Sequence, residues 1–284
     1  MKIAEARADE ASLSQYVALF AECFPAATHY TIEYLRWLYA ANPAGTVVGF
    51  DAWDDDTLAA HYVCVPARVF VGGRIRRTLL SLNTATRPAY QGKGLFTKLA
   101  AATYEGAKAK GFECVYGVAN ANSTPGFVRK LGFQLVTPLD AFVGLGTLGI
   151  DDIHAFSARA AWRREWSADE LNWRCASPAN AVSLSEVRPG HYGAAAATGR
   201  FGIQAWGEIP APASGTPNAT RAAPLGPRLF LGLTPGGDRR RLYARIPDRL
   251  RPSPLNLIFL DLATGVRDID PRSIFFTFLD FDAY

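Results

Sequence analysis

The chain is poor in the residues from which metal sites and disulfide frames are built. Its 284 residues include four Cys and four His. Cys23, Cys64, Cys114 and Cys175 are scattered, with no pair at zinc-ligand or disulfide-frame spacing, and the histidines stand far apart. No metal is therefore expected. No apolar run approaches the roughly 18 residues that a membrane-spanning helix requires. The polar opening "MKIAEARADEASLSQ" has no signal-type apolar stretch. Charge of one sign is scarce as well. The net charge is +4 at pH 7, and no basic stripe interleaves with aromatics, which argues against nucleic acid. These absences lead to the expectation of a reduced, cytoplasmic protein with no membrane and no nucleic-acid partner.

Apolar residues are plentiful. Hydrophobic residues make up 49% of the chain, with seventeen Phe and eleven Tyr, enough for a sizeable core. The length suits two domains. "KIAEARA" reads as a strand and "EASLSQYVALFAECF" as an amphipathic helix with Leu13, Val17, Phe20 and Phe24 on one face. A second helix, "TIEYLRWLYA", stops before Asn42-Pro43-Ala44-Gly45. "TVVGFDAW", "LAAHYVCVPARVFV" and "RIRRTLLSLNTAT" are strand-like, and Gly72-Gly73 signals a hairpin between the last two. A helix follows "YQGKG" and ends at Gly111, a suitable C-cap. Then come the strand "ECVYGVA", the helix "STPGFVRKL" and the strand "GFQLV". The order is β-α-α-β-β-β-α-β-α-β.

The segment from Gln91 to Gly94 carries the chemistry. A strand ends near Thr86, Gly92 and Gly94 allow a tight turn, and a helix starts near Leu95 with free N–H groups and a positive dipole end. Such a loop can cradle a pyrophosphate through its backbone. It is no Walker loop, since no Gly-Lys-Ser/Thr follows, and no dinucleotide fingerprint, since the third glycine is missing. By itself it reads equally as an ordinary strand-to-helix turn.

"RPAYQGKGLFTKLA", followed some thirty residues later by "NANSTPGFVRKLGF", resembles the GCN5-related N-acetyltransferase (GNAT) superfamily over about residues 1 to 145. The first stretch is similar to the family's pyrophosphate loop, with Gln91 leading and Gly94 at the central glycine. The second is similar to the motif in which an Asn precedes a helix ending in Lys-Leu-Gly-Phe, here Lys130 to Phe133. The resemblance implies acetyl-CoA or another acyl-CoA as co-substrate, its pyrophosphate on the amides of Gly92, Lys93, Gly94, Leu95 and Phe96. It places the pantetheine along Thr84-Ala85-Thr86, with Asn122 beside it. Two departures stand out. Phe96 replaces a small residue beside the phosphates, and Val128 occupies the position of the usual proton-donating Tyr. Polar candidates for the reaction are His61, Asn83, Tyr116 and Thr84. Of these His61 and Asn83 are kept as catalytic candidates, although His61, within a strand, also reads as a satisfied core histidine.

The expected fold class is thus α+β (mixed α/β). A GNAT-like central mixed sheet flanked by helices spans residues 1–146, and a C-terminal α+β domain, read as a degenerate GNAT-like copy or as a cap, spans residues 147–284 on the acceptor side. In the second part "DDIHAFSARAAWRREWSADELNWRC" reads as mostly helical. Strand candidates are "AVSLSEV", "FGIQAWGEI", "RLFLGL", "RLYARI", "LNLIFLDL" and "SIFFTFLDF". The Pro, Ala and Gly-rich stretch of about 210–227 reads as a mobile loop. Arg239, Arg240, Arg241, Arg245, Arg249 and Arg251 read as a solvated face or as recognition of an anionic acceptor. "WLYAANPAG" and "NWRCASP" resemble segments of acetyltransferases from surface-polysaccharide loci, which implies a nucleotide-linked amino sugar. The function expected is transfer of an acetyl group from acetyl-CoA to a primary amine of a small molecule. The alternatives are a non-catalytic acyl-CoA-binding module and a longer-chain N-acyltransferase.

Overall fold

The computed structural model describes residues 1–284 apart from 201, 221, 222, 224, 238–241, 252, 264, 267, 283 and 284. The N-terminal elements follow the expected order. They are β1 (Lys2–Glu5), α1 (Glu10–Cys23), α2 (Ile32–Tyr39), β2 (Val48–Asp54), β3 (Thr57–Val71), β4 (Arg74–Thr86), α3 (Leu95–Ala109), β5 (Cys114–Ala119), α4 (Thr124–Leu131) and β6 (Gln134–Pro138). Local chemistry sets the helix starts: Asp9 accepts from Ser12 N at α1, and Thr31 accepts from Tyr34 N at α2. The buried face of α1 is Leu13, Tyr16, Leu19 and Phe20. Phe24 does not join it. The helix stops at Cys23, and Phe24 leaves helical geometry as its C-cap, 39% exposed.

The chain continues through β7 (Asp140–Leu145), α5 (Ile153–Ala158), β8 (Trp162–Arg164), α6 (Ala168–Cys175), β9 (Val182–Arg188), β10 (His191–Ala197), β11 (Gln204–Pro210), β12 (Pro227–Gly232), β13 (Tyr243–Arg245), β14 (Asn256–Asp261) and β15 (Ile274–Phe275). Two expectations are corrected here. The segment expected to be mostly helical is split by β8, which pairs with Val69–Val71 of β3 and with β15. Strand β10, "HYGAAAA", is absent from the expected strands because alanine and glycine carry no β signal. Its small residues serve packing instead: a Cβ on Gly193 would lie 2.2 Å from Trp206. The described part of the 210–227 stretch packs through backbone hydrogen bonds. Ala213 N donates to Trp166 O, and Thr220 N to Leu184 O.

Two sheets result. The first runs β1-β2-β3-β4-β5-β14-β6, with β8 and β15 extending it alongside β3. The second runs β13-β7-β12-β11-β10-β9. From β2 to β6 the first sheet goes antiparallel, antiparallel, parallel, antiparallel, antiparallel. From β9 to β13 the second repeats that sequence of directions. The first sheet takes β8, β14 and β15 from the C-terminal half of the chain, and the second takes β7 from the N-terminal half. The sheets therefore do not part at residue 146. In the second sheet the connection between the parallel strands β11 and β12 carries no α-helix among the described residues, so nothing there matches α3.

The core follows this arrangement. Trp37 and Trp173 join α2 to α6: their rings stack at 4.8 Å, and each indole N–H donates to the other's carbonyl, at 2.9 and 3.0 Å.

Candidate active site

Strands β4 and β5 pair only through Thr78–Cys114, Leu79–Val115 and Leu80–Tyr116. Beyond these pairs β4 runs on to Thr86 and β5 to Ala119, so the strands part and leave a wedge. The parting coincides with an irregularity in β4. Thr84 pairs with Tyr62 and Leu82 with Val63, which leaves Asn83 as the extra residue of a bulge, with φ +46°. Leu82, Asn83 and Thr84 are half-buried there, whereas Leu79 and Leu80 before the wedge are buried.

From the same strand end the chain passes through a short 3-10 turn at Pro88–Tyr90 into the glycine loop. Gly92 (φ +76°) and Gly94 (φ +72°) adopt the left-handed conformation, and space around both is open. Gly94 is the N-cap of α3, with no side chain capping it. The first bond of the helix runs from Lys98 N to Gly94 O, so the amides of Leu95, Phe96 and Thr97 lie ahead of it. A groove of about 430 Å³ runs over these groups. Of the expected cofactor residues, Thr84, Ala85, Thr86 and Gln91 line it, followed by Gly92, Gly94, Leu95 and Phe96. Lys93 and Asn122 do not line it. The Lys93 ammonium lies 4.7 Å from the centre of the Tyr90 ring. Asn122 sits exposed in the turn after β5, a turn held by the Asn120 carboxamide, which accepts from the amides of 122 and 123.

Sequence reasoning missed part of the lining. Cys23 and Phe24 enter from the end of α1, Tyr90 from the 3-10 turn, Thr97 from α3 and Lys130 from α4. Lys130 had a signal, the Lys-Leu-Gly-Phe run, which seats it at the end of a helix facing the loop. Cys23 had none. Burial pushes its thiol up, against the backbone of Thr86 at the strand end, which favours the charged form. Phe96 does not block the groove with a free ring, because the ring packs edge-on against Phe127 at 5.2 Å and Tyr62 at 6.0 Å.

The polar candidates divide by burial. His61 is fully buried, with Nδ1 2.6 Å from Asp51 Oδ1 and Nε2 2.9 Å from the Tyr39 hydroxyl. Tyr116 is buried and donates to Asp280 O at 2.7 Å while accepting from Arg164 at 3.1 Å; burial pushes its phenol up to about 12. Val128 lies half-buried on α4. Asn83 alone joins the buried polar groups to the wedge. Its Nδ2 donates to Tyr39 at 3.0 Å.

The described arginines of the basic segment stand elsewhere. Arg245 pairs with Asp140 at 3.4 Å, and Arg251 donates to the carbonyls of Ile246 and Leu139. Both line a separate pocket of about 520 Å³ that shares no residue with the groove. Arg239, Arg240 and Arg241 lie outside the described residues. No group of His, Cys, Asp and Glu among the described residues could hold a metal ion.

Residues 6–136 match the family model described as the acetyltransferase (GNAT) domain. This part of the chain is a GNAT domain. The match spans α1 through β6 and so includes the wedge and the glycine loop. No curated protein matches the chain. Among solved structures, Eis1 from Mycobacterium abscessus is similar at 12% identity and a TM-score of 0.61, over 93% of this chain and 74% of that one. A GCN5-related N-acetyltransferase from Kribbella flavida is similar at 12% identity and a TM-score of 0.61, over 92% and 71%. Another from Anabaena variabilis ATCC 29413 gives 10% identity and a TM-score of 0.59, over 92% and 73%. At such identities the likeness is one of fold, and it extends past the GNAT domain into the second sheet.

Proposed function

We propose that the protein transfers an acetyl group from acetyl-CoA to a primary amine of a small molecule. The observation that carries this reading is the pairing of the β4–β5 wedge with a glycine loop at a helix N-terminus, both bordering one groove. The amides of residues 95–97 and the Lys130 ammonium would face the pyrophosphate, since helix N-termini and cations both favour phosphate. The pantetheine would follow Thr84–Thr86 into the wedge.

The reaction needs little from the protein beyond alignment and a stabilised oxyanion. The neutral amine nitrogen attacks the thioester carbonyl carbon and forms the C–N bond. The C–S bond then breaks, and its electron pair leaves on sulfur. One amine proton is released and ends on the thiolate or in solvent. A thiol pKa of about 8.5 makes that leaving group tolerable without an acid, which accommodates Val128 in place of the family's tyrosine.

A second reading, an acyl-CoA-binding module without turnover, is favoured by the groove lining itself, where Cys23, Tyr90 and Lys130 are the titratable groups among the described residues. Thiol release from acetyl-CoA across a panel of primary amines, amino sugars and their nucleotide conjugates included, separates the two. Release with any amine supports transfer. Calorimetric binding of acetyl-CoA with no release supports the module, and absence of binding sinks both.

A further inference from the structure

The buried polar chain behind the wedge fixes the polarity of a single carboxamide at its mouth. Asp51, 2% exposed, can only accept as a carboxylate. It takes the Tyr16 hydroxyl at 2.7 Å on one oxygen and faces His61 Nδ1 at 2.6 Å with the other. Nδ1 must then carry the hydrogen, and because Asn83 Nδ2 donates to the Tyr39 oxygen the Tyr39 proton is left for Nε2. The Tyr39 hydroxyl, 2.9 Å away, donates to it. With its proton spent on His61, the Tyr39 oxygen can only accept from Asn83, and Asn83 Nδ2 lies 3.0 Å away. The carboxamide is thereby oriented. Its NH₂ points inward, and Oδ1 has no partner among the described residues. Asn83 is half-buried at the bulge where β4 leaves β5.

We infer that Asn83 Oδ1 is the acceptor that grips the substrate amine. Resting on the acetyl-transfer reading, this assigns Asn83 a direct contact with one N–H of the incoming nucleophile. That bond turns the nitrogen lone pair toward the thioester carbon in the wedge. Asn83 takes no proton. Tyr39, His61 and Asp51 are positioning residues that act through it, by denying the carboxamide its flipped orientation. An amine with at least one N–H beyond the pair that attacks is the substrate class this geometry selects.

The test uses full-length protein, acetyl-CoA and the primary amine giving the fastest thiol release. Asn83→Gly deletes the carboxamide while suiting φ +46°. It should lower kcat/KM for the amine about ten- to a hundredfold, the loss of one hydrogen bond to a reacting group, with KM for acetyl-CoA unchanged. Asn83→Asp keeps acceptor oxygens and tolerates the left-handed backbone but gives up the donor to Tyr39, so it should recover part of that loss. Tyr39→Phe removes the anchor, along with the partner of His61 Nε2, and should raise the amine KM with little change in kcat. Wild-type amine efficiency in Asn83→Gly overturns the inference, as does an Asn83→Asp variant as poor as Asn83→Gly. Acetyl-CoA bound without thiol release from any amine also overturns it while leaving the binding-module reading. Failure of the wild-type protein to bind acetyl-CoA in calorimetry instead overturns the functional reading beneath it.

Discussion

Replacing Gly94 by Asp tests the pyrophosphate site with the fold held nearly constant. The position has φ +72° and open space where a Cβ would stand, so the new carboxylate would project into the groove without a clash. A non-glycine residue there costs roughly 1–2 kcal/mol of stability, less for Asp and Asn than for others. Asp is also a favoured N-cap, though by only a few tenths of a kcal/mol over Gly, which offsets a small part of that cost. The effect on ligand is larger. Two unit charges 4 Å apart repel by about 1 kcal/mol in bulk water and about 4 kcal/mol at an effective dielectric of 20. The two charges of a pyrophosphate then lose about 2–8 kcal/mol, at least roughly thirtyfold in Kd. Gly94→Asn, neutral and of the same shape, separates charge from bulk. Calorimetry of CoA on the three proteins is the assay, repeated at two salt concentrations because an exposed repulsion is screened. Equal Kd for the Asp and Asn variants would refute the argument, since the pyrophosphate would not lie over this helix end.

Other outcomes follow from particular contacts. Lys130→Ala should weaken CoA about two- to tenfold, as befits an exposed charge contact, whereas Lys93→Ala should leave it unchanged; titration calorimetry reads both. Gly193→Ala should destabilise the protein by about 1–3 kcal/mol in urea unfolding, because the added methyl meets Trp206 at 2.2 Å. Burial pushes the Asp280 carboxyl up to about 6 from an ordinary 3.8, against Thr277, Arg164 and Trp166, which favour its charged form. The folded protein therefore holds the proton that the unfolded chain releases, and stability falls as pH rises from about 4 to 6. The Asp280→Asn variant should lack that component of the slope when unfolding is compared at pH 4.5 and 7, and parallel profiles would disprove it.

The N-terminal order of elements, the glycine loop and the helix ends were legible in the sequence because each is set by local chemistry. Asp9 and Thr31 cap their own helices, Gly94 supplies its own backbone freedom, and Gly72-Gly73 between two strand-like apolar runs marks a hairpin whatever packs on it. The groove residues implied by the family resemblance, Thr84–Thr86 and Gln91–Phe96, line it with the exception of Lys93. Contacts between distant segments were not legible. Nothing in "LNLIFLDL" says that β14 enters the first sheet between β5 and β6. Nothing in "HYGAAAA" signals a strand, whose small residues make sense only once Trp206 packs on Gly193. Cys23 reaches the groove because α1 ends beside Thr86. Above all, the role of Asn83 was hidden. The sequence offered His61 and Asn83 as separate candidates, and tertiary packing joined them, because a hydrogen-bond chain from Asp51 has direction only when its members, 51, 61, 39 and 83, meet in space.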